Sequence, residues 1–268
     1  MSEVTTRIGK AVITQGRPRL RERLTTLVPG IASPGPALEP GWGYDVDAAV
    51  HRAIVVVDIA ESTAPIRRNS DRVLIRHAMY QSLTGAFRRR DWLRCYHEDR
   101  GDGVLLLVHP RVPKGWLVTV LPGKIEAILA EHNAMVAEQY PGRAAAAQVR
   151  LRVAINAGEV TFDEHGVVGA AIDDTFRLAD AEPLKSAFAT SPDVCALIVS
   201  DWFFRDVVFH HADAQPDRFQ HIDCRVKQTP LSAWMRTMRT PVPALARKDQ
   251  PRPERRRPVP AITLQETA

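Results

Sequence analysis

The sequence predicts an α+β sandwich: a mixed, mainly antiparallel sheet covered by helices. Three observations carry the prediction. Short apolar runs of strand character alternate with longer segments of helical period through the middle of the chain. The order of these segments is strand, helix, two strands, helix, strand, helix, strand, then a closing hairpin. The two ends show neither period and are broken by proline.

Each element follows from its residues. The run Ala53-Ile54-Val55-Val56-Val57-Asp58 is the first strand. Ser62-Thr63 and Pro65 precede a helix over about 66–90, with Ile66, Val73, Ala78 and Leu83 among its apolar positions. Residues 93–98 and 103–108 form a hairpin whose turn is Arg100-Gly101-Asp102. Ile125, Ile128, Leu129, Met135 and Val136 recur at helical spacing and set a helix over about 123–139. Leu151 to Asn156 alternates as a strand, and Gly158 to Phe162 continues after a turn. A helix over about 171–188, a strand over 195–200, a short helix near 201–208 and two strands near 218–227 and 231–236 complete the order.

Three segments result: a flexible leader over 1–48, a domain over 49–236, and a basic, Pro-rich disordered tail over 237–268. The 268 residues, 45% hydrophobic and 25% charged, are enough for a sizeable core. The net charge of +5 is concentrated at the ends, in Arg17, Arg19, Arg21 and Arg23 and in Arg247 to Arg257. Such runs read as solvated tails before they read as a nucleic-acid site, so no specific nucleic-acid partner is expected. Cys95, Cys195 and Cys224 form no CxxC pair, which excludes a zinc framework and fits a reduced cytoplasm. No apolar run reaches the roughly 20 residues of a membrane span, and the N-terminus has no apolar signal core.

Chemistry points first to Asp58 and Asp102. One closes an apolar strand and the other lies in the hairpin turn, so neighbouring strands would bring both to one sheet end. Two carboxylates that close repel unless a cation lies between them, and hard oxygen ligands open to water and phosphate suit Mg²⁺. A strand-end Asp and a turn Asp that merely face solvent are the bland alternative.

The sequence resembles the class III nucleotidyl cyclases. Asp58-Ile59-Ala60-Glu61-Ser62-Thr63 is similar to their first metal motif, Asp-Ile-x-Gly-Phe-Thr, and Glu98-Asp99-Arg100-Gly101-Asp102-Gly103 to their second. Asn156-Ala157-Gly158-Glu159-Val160 resembles the central hairpin, and Gly169 to Leu178 the Gly-x-x-Val-Asn-x-Ala-x-Arg-Leu motif. Val226-Lys227-Gln228 through Trp234 resembles the closing hairpin. The ordered set covers residues 50–236.

The resemblance implies a ferredoxin-like sandwich and a reaction in which a nucleoside triphosphate closes to a 3′,5′-cyclic nucleotide and pyrophosphate. It implies two Mg²⁺ or Mn²⁺ ions per site, held by Asp58, Asp102 and the Ile59 carbonyl. Backbone N–H groups from Ala60 to Thr63 would cradle phosphates. Arg177 would neutralise charge on the α-phosphate, and Asp173, where the family has Asn, would orient the ribose. Glu98 and Gly166 fall at the base-reading positions and match neither standard pair, which argues against a standard adenylate cyclase. Lys227 is either a triphosphate contact or a solvated strand lysine. A homodimer is implied, its site shared by Asp58 and Asp102 of one subunit and Asp173 and Arg177 of the other, with a separate regulator or cyclic-nucleotide receptor in a signalling or defence setting. Glu61 in place of Gly and Asp173 in place of Asn favour the rival reading, a catalytically degenerate cyclase-homology module that binds a nucleotide or a partner protein. A helix-face pair between Asp173 and Arg177 is the bland reading of those two residues.

Overall fold

The computed structural model describes residues 48–226 and 229–238. Lys227, the leader and the tail beyond Met238 lie outside the described residues. The fold is the expected α+β sandwich. An eight-stranded sheet runs β2-β3-β1-β4-β6-β8-β7, with the short β5 paired to β4. Its strands are β1 (Ala49–Ile59), β2 (Tyr96–Asp99), β3 (Gly103–Val108), β4 (Leu151–Asp163), β5 (Gly166–Val168), β6 (Cys195–Ser200), β7 (Gln220–Val226) and β8 (Thr229–Thr237). The β4–β6 pair is parallel and the other pairs are antiparallel, so the sheet is mixed.

The period of two along β1 separates two cores. Val55, Val57 and Ile59 face one side and pack with α1 (Asn69–Ala86) through Ile75, Met79 and Leu83. Also on that side are Leu117 of α3 (Trp116–Thr119) and Ile125 and Leu129 of α4 (Leu121–Gln139). Two shorter helices, α2 (Arg89–Arg94) and α5 (Ala144–Ala147), link these elements. Ile54 and Val56 face the other side and pack with α6 (Ala170–Ala179) and α7 (Glu182–Thr190), chiefly Ile172, Leu178, Leu184 and Phe188. A further helix, α8 (Asp201–Asp206), follows β6 and seats Phe203 in the first core.

Four boundaries differ from expectation; one is the strand expected over 93–98, which begins only at Tyr96 because α2 runs to Arg94. The helix expected over 66–90 is two, α1 and α2, separated by extended residues Phe87 and Arg88. The helix expected over 171–188 is also two. Pro183 has no N–H to give, and its ring in a helix interior would clash with the carbonyl of Ala179, so α6 stops at Ala179 and Pro183 opens α7. β4 runs unbroken through Gly158, where a turn was expected. A Cβ there would lie 2.5 Å from the Ala171 Cβ, so this glycine lets α6 lie close on the sheet.

Candidate active site

Asp58 shares a face of β1 with Ile54 and Val56, on the side covered by α6. It pairs with Gly103 on β3 and with Arg152 on β4. The Ile59 N–H donates to the Asp102 carbonyl at 3.0 Å, which fixes the β2–β3 turn beside the end of β1. Asp58 and Asp102 therefore share one cleft of about 370 Å³, a volume usual for a small-ligand site.

Arginines crowd these acids. Arg152 donates to Asp58 Oδ2 through Nε at 3.0 Å and through a terminal nitrogen. Arg100 lines the same cleft, as do Arg177 and Asp180 near the end of α6. The lining thus sets three guanidinium groups against three carboxylates. Burial pushes the Asp58 carboxyl above its ordinary value; Arg152 opposes that, and the charges of Asp102 and Asp180 add to it. Ser62 donates its hydroxyl to Asp102 Oδ2 at 2.6 Å. Among the described residues, Oδ1 of each carboxylate is outside these hydrogen bonds.

The turn carrying Asp102 is braced from behind. Asp99 Oδ1 accepts the Gly101 N–H at 2.7 Å, and its Oδ2 accepts the Tyr80 hydroxyl at 2.8 Å and an ion pair from Arg76. Both partners belong to α1, so the turn is tied to that helix.

The other expected positions are distributed as follows. Ile59 is buried at the end of β1. Thr63 is exposed in the loop before α1 and is not among the residues lining the cleft. Glu61 in that loop has φ of +55°, the left-handed region, at the position where the resembled motif has glycine. Arg177 lines the cleft and pairs with Asp174 at 2.7 Å, not with Asp173. Asp173 is exposed and outside the lining. Glu98 and Gly166 both lie near the Tyr96 hydroxyl, which donates to Glu98 Oε2 at 3.3 Å and would lie 3.6 Å from a Cβ on Gly166. Glu98 Oε1 pairs with Arg100 at 3.1 Å, so both of its oxygens are engaged. Burial and then the Glu98 charge push the Tyr96 hydroxyl up to about 12, so it stays protonated and donating.

The sequence reading passed over Arg100, Arg152, Tyr96 and Asp180. Arg152 had a signal: it lies between Leu151 and Val153 in an apolar strand, and a guanidinium there needs an acid on the neighbouring strand. Asp180 had none until Pro183 was seen to end α6 beside it.

Among the described residues no group of three or more His, Cys, Asp and Glu side chains is set to hold a metal ion. The Asp58–Asp102 pair nevertheless fits a divalent cation. The Asp102 charge raises the cost of ionising Asp58, each acid keeps an oxygen outside its side-chain hydrogen bonds, and carboxylate oxygens are the donors that Mg²⁺ and Mn²⁺ take.

No family model and no curated protein matches this sequence. Solved structures do resemble it. The guanylyl cyclase Cya2 is 15% identical, over 73% of this chain and 96% of its own, with a TM-score of 0.49. The adenylyl cyclase CyaB from P. aeruginosa is 13% identical over 70% and 95%, with a TM-score of 0.44. An adenylate/guanylate cyclase/hydrolase from Silicibacter pomeroyi is 16% identical over 72% and 99%, with a TM-score of 0.43. Likenesses at this identity and TM-score say nothing of chemistry, which has to come from the cleft itself.

Proposed function

We propose that the cleft is the active site of a nucleotidyl cyclase that converts a nucleoside triphosphate to a 3′,5′-cyclic nucleotide and pyrophosphate. The observation that supports this reading best is the convergence of Asp58, Asp102 and Arg177 on one cleft from three separate elements. The motif resemblance assigned those residues to a metal pair and a transition-state arginine, but drew Arg177 from the partner subunit, whereas here it lines the cleft of its own chain. The lining is balanced in charge, so an anion entering alone meets as many acids as arginines, and the ligand that suits it brings its own divalent cations.

Asp58, Asp102 and the Ile59 carbonyl would hold Mg²⁺ or Mn²⁺, which when bound lowers the pKa of the 3′-hydroxyl and neutralises the departing phosphates. In the reaction the 3′-oxygen bonds to the α-phosphorus, the bond to the β-phosphate oxygen breaks, and the hydroxyl proton leaves to solvent. Arg177 places its guanidinium where charge grows on the α-phosphate, and Asp174 fixes its direction. Arg152 offers donors at the cleft floor for phosphate oxygens. Thr63 and Lys227, the latter outside the described residues, remain candidate phosphate contacts, and Glu98 and Gly166 candidate base contacts. The working unit is a homodimer that answers to a separate regulator or feeds a separate receptor.

A second reading, a non-catalytic nucleotide-binding module, is favoured by the Arg152 pair on Asp58 and by the engagement of both Glu98 oxygens. One assay separates the two. The full chain is incubated with ATP, GTP, CTP or UTP and Mg²⁺ or Mn²⁺, and the products are resolved by mass. A cyclic monophosphate with equal pyrophosphate, abolished by Asp102→Ala, is the expected result. Nucleotide binding that depends on metal but gives no product would leave the module.

A further inference from the structure

Resting on the nucleotide reading, we infer that Arg100 is the group that reads the base, and that the cleft selects nucleotides whose base bears a ring carbonyl over adenine. The motif resemblance put Glu98 in that role. In the structure both Glu98 oxygens are already engaged, one by the Tyr96 hydroxyl at 3.3 Å and one by Arg100 at 3.1 Å. Arg100, not Glu98, is the one of this pair that lines the cleft. Its guanidinium is steered from two directions: Glu98 fixes one edge, and its central carbon lies over the Phe176 ring at 5.3 Å from the centroid. Phe176 also lines the cleft, one residue before Arg177. Glu98 and Phe176 therefore act as positioning residues for a guanidinium aimed into the space beside the acids.

A guanidinium has only donors to give. A base it recognises must offer a carbonyl oxygen as an acceptor, best with a second acceptor adjacent to it. Guanine does so with O6 and N7 and cytosine with O2 and N3, whereas uracil offers O2 and O4 singly, because its N3–H lies between them. Adenine does not: N7 and N1 each lie beside the N6 amino donor, which would face the N–H groups of Arg100. Lysine carries the same charge without the planar fork, so charge and base reading separate cleanly at this position.

The experiment is equilibrium binding by calorimetry, with Mg²⁺, of the full chain. Its probes are the α,β-methylene analogues of ATP, GTP, CTP and UTP, whose bridge cannot release pyrophosphate, and inorganic tripolyphosphate. At least one carbonyl-bearing analogue is expected to bind about tenfold tighter than the ATP analogue. In Arg100→Lys and Arg100→Gln that ratio is expected to fall below about threefold, with tripolyphosphate affinity unchanged in the lysine variant. Arg100 is exposed, so neither variant should unfold, and circular dichroism checks this. Equal binding of all four analogues by the wild type overturns the inference, as does a ratio that survives in both variants. A lysine variant that loses tripolyphosphate as much as nucleotide makes Arg100 a phosphate contact and also overturns it. If neither tripolyphosphate nor any analogue binds the wild type, the nucleotide reading falls as well.

Discussion

Asp58 is held in conflict. Its carboxyl binds a proton more tightly in the folded chain than in the unfolded one, because burial and the acids at 102 and 180 outweigh Arg152. A group whose folded value is raised stabilises fully below its unfolded value, about 4, and that stabilisation is lost as pH rises through the folded value. Asp58→Asn, which cannot ionise, should therefore melt higher than the wild type at pH 7, and the two curves should converge at pH below about 4. Saturating Mg²⁺ should raise the wild-type midpoint and leave that of the variant unchanged. Thermal scans over pH and metal concentration test this, and a variant less stable than the wild type at neutral pH would refute it. Such a cost is usual where a site is built for a ligand it has not yet met. Glu61 carries a different strain, in the backbone. At φ of +55° a side chain costs about 1 kcal/mol that glycine does not, so Glu61→Gly should be about 1 kcal/mol more stable than Glu61→Ala. Urea titration of the two variants measures the difference without involving the lost carboxylate, which both lack.

At the scale of elements, the strands were legible because apolar alternation reports burial on two faces, and the hairpin because its turn residues stand between two such runs. The placement of the two acids was legible for the same reason: Asp58 lies near the end of β1 and Asp102 in the turn that leads into β3. What the residues did not announce was packing at close range. Gly158 reads as a turn in a single sequence, yet its role is to admit Ala171 of α6, and nothing in the local pattern names a partner 13 positions away. Likewise the engagement of Glu98 depends on Tyr96 and Arg100 turning toward it, which spacing alone does not fix. The Gly158 contact makes α6 position-sensitive. Gly158→Ala must push the helix outward, at a cost of about 1–3 kcal/mol. Because Arg177 rides on α6, the variant should also lose cyclase turnover more than it loses substrate affinity. Melting and steady-state kinetics on one preparation separate the two effects; an unchanged midpoint would show that the sheet yields instead. The brace behind the β2–β3 turn gives a companion prediction. Asp99→Ala frees the Gly101 N–H and the Tyr80 hydroxyl, and should weaken Mn²⁺ binding as well as stability, whereas Asp99→Asn keeps an acceptor for Gly101 and should retain most of the metal affinity. Mn²⁺ titration followed by electron paramagnetic resonance reads both variants.

At the scale of the whole molecule, α6 presents its two proposed functional residues to different places. Arg177 lines the cleft of its own chain, whereas Asp173 is exposed and outside that lining. If Asp173 acts in the reaction, it acts in a cleft other than its own, and a symmetric dimer is the simplest assembly that provides one. The consequence is quantitative. Asp102→Ala and Asp173→Ala should each abolish turnover when purified alone. Mixed in equal amounts and allowed to exchange subunits, half of the dimers carry both lesions on opposite chains. In each of these one site has both defects and the other has none, so activity should return to about a quarter of the wild-type value. Asp173→Ala that remains active by itself would remove that residue from the site. A silent mixture of two inactive variants, with exchange verified by mass, would mean that Asp173 serves only the chain that carries it.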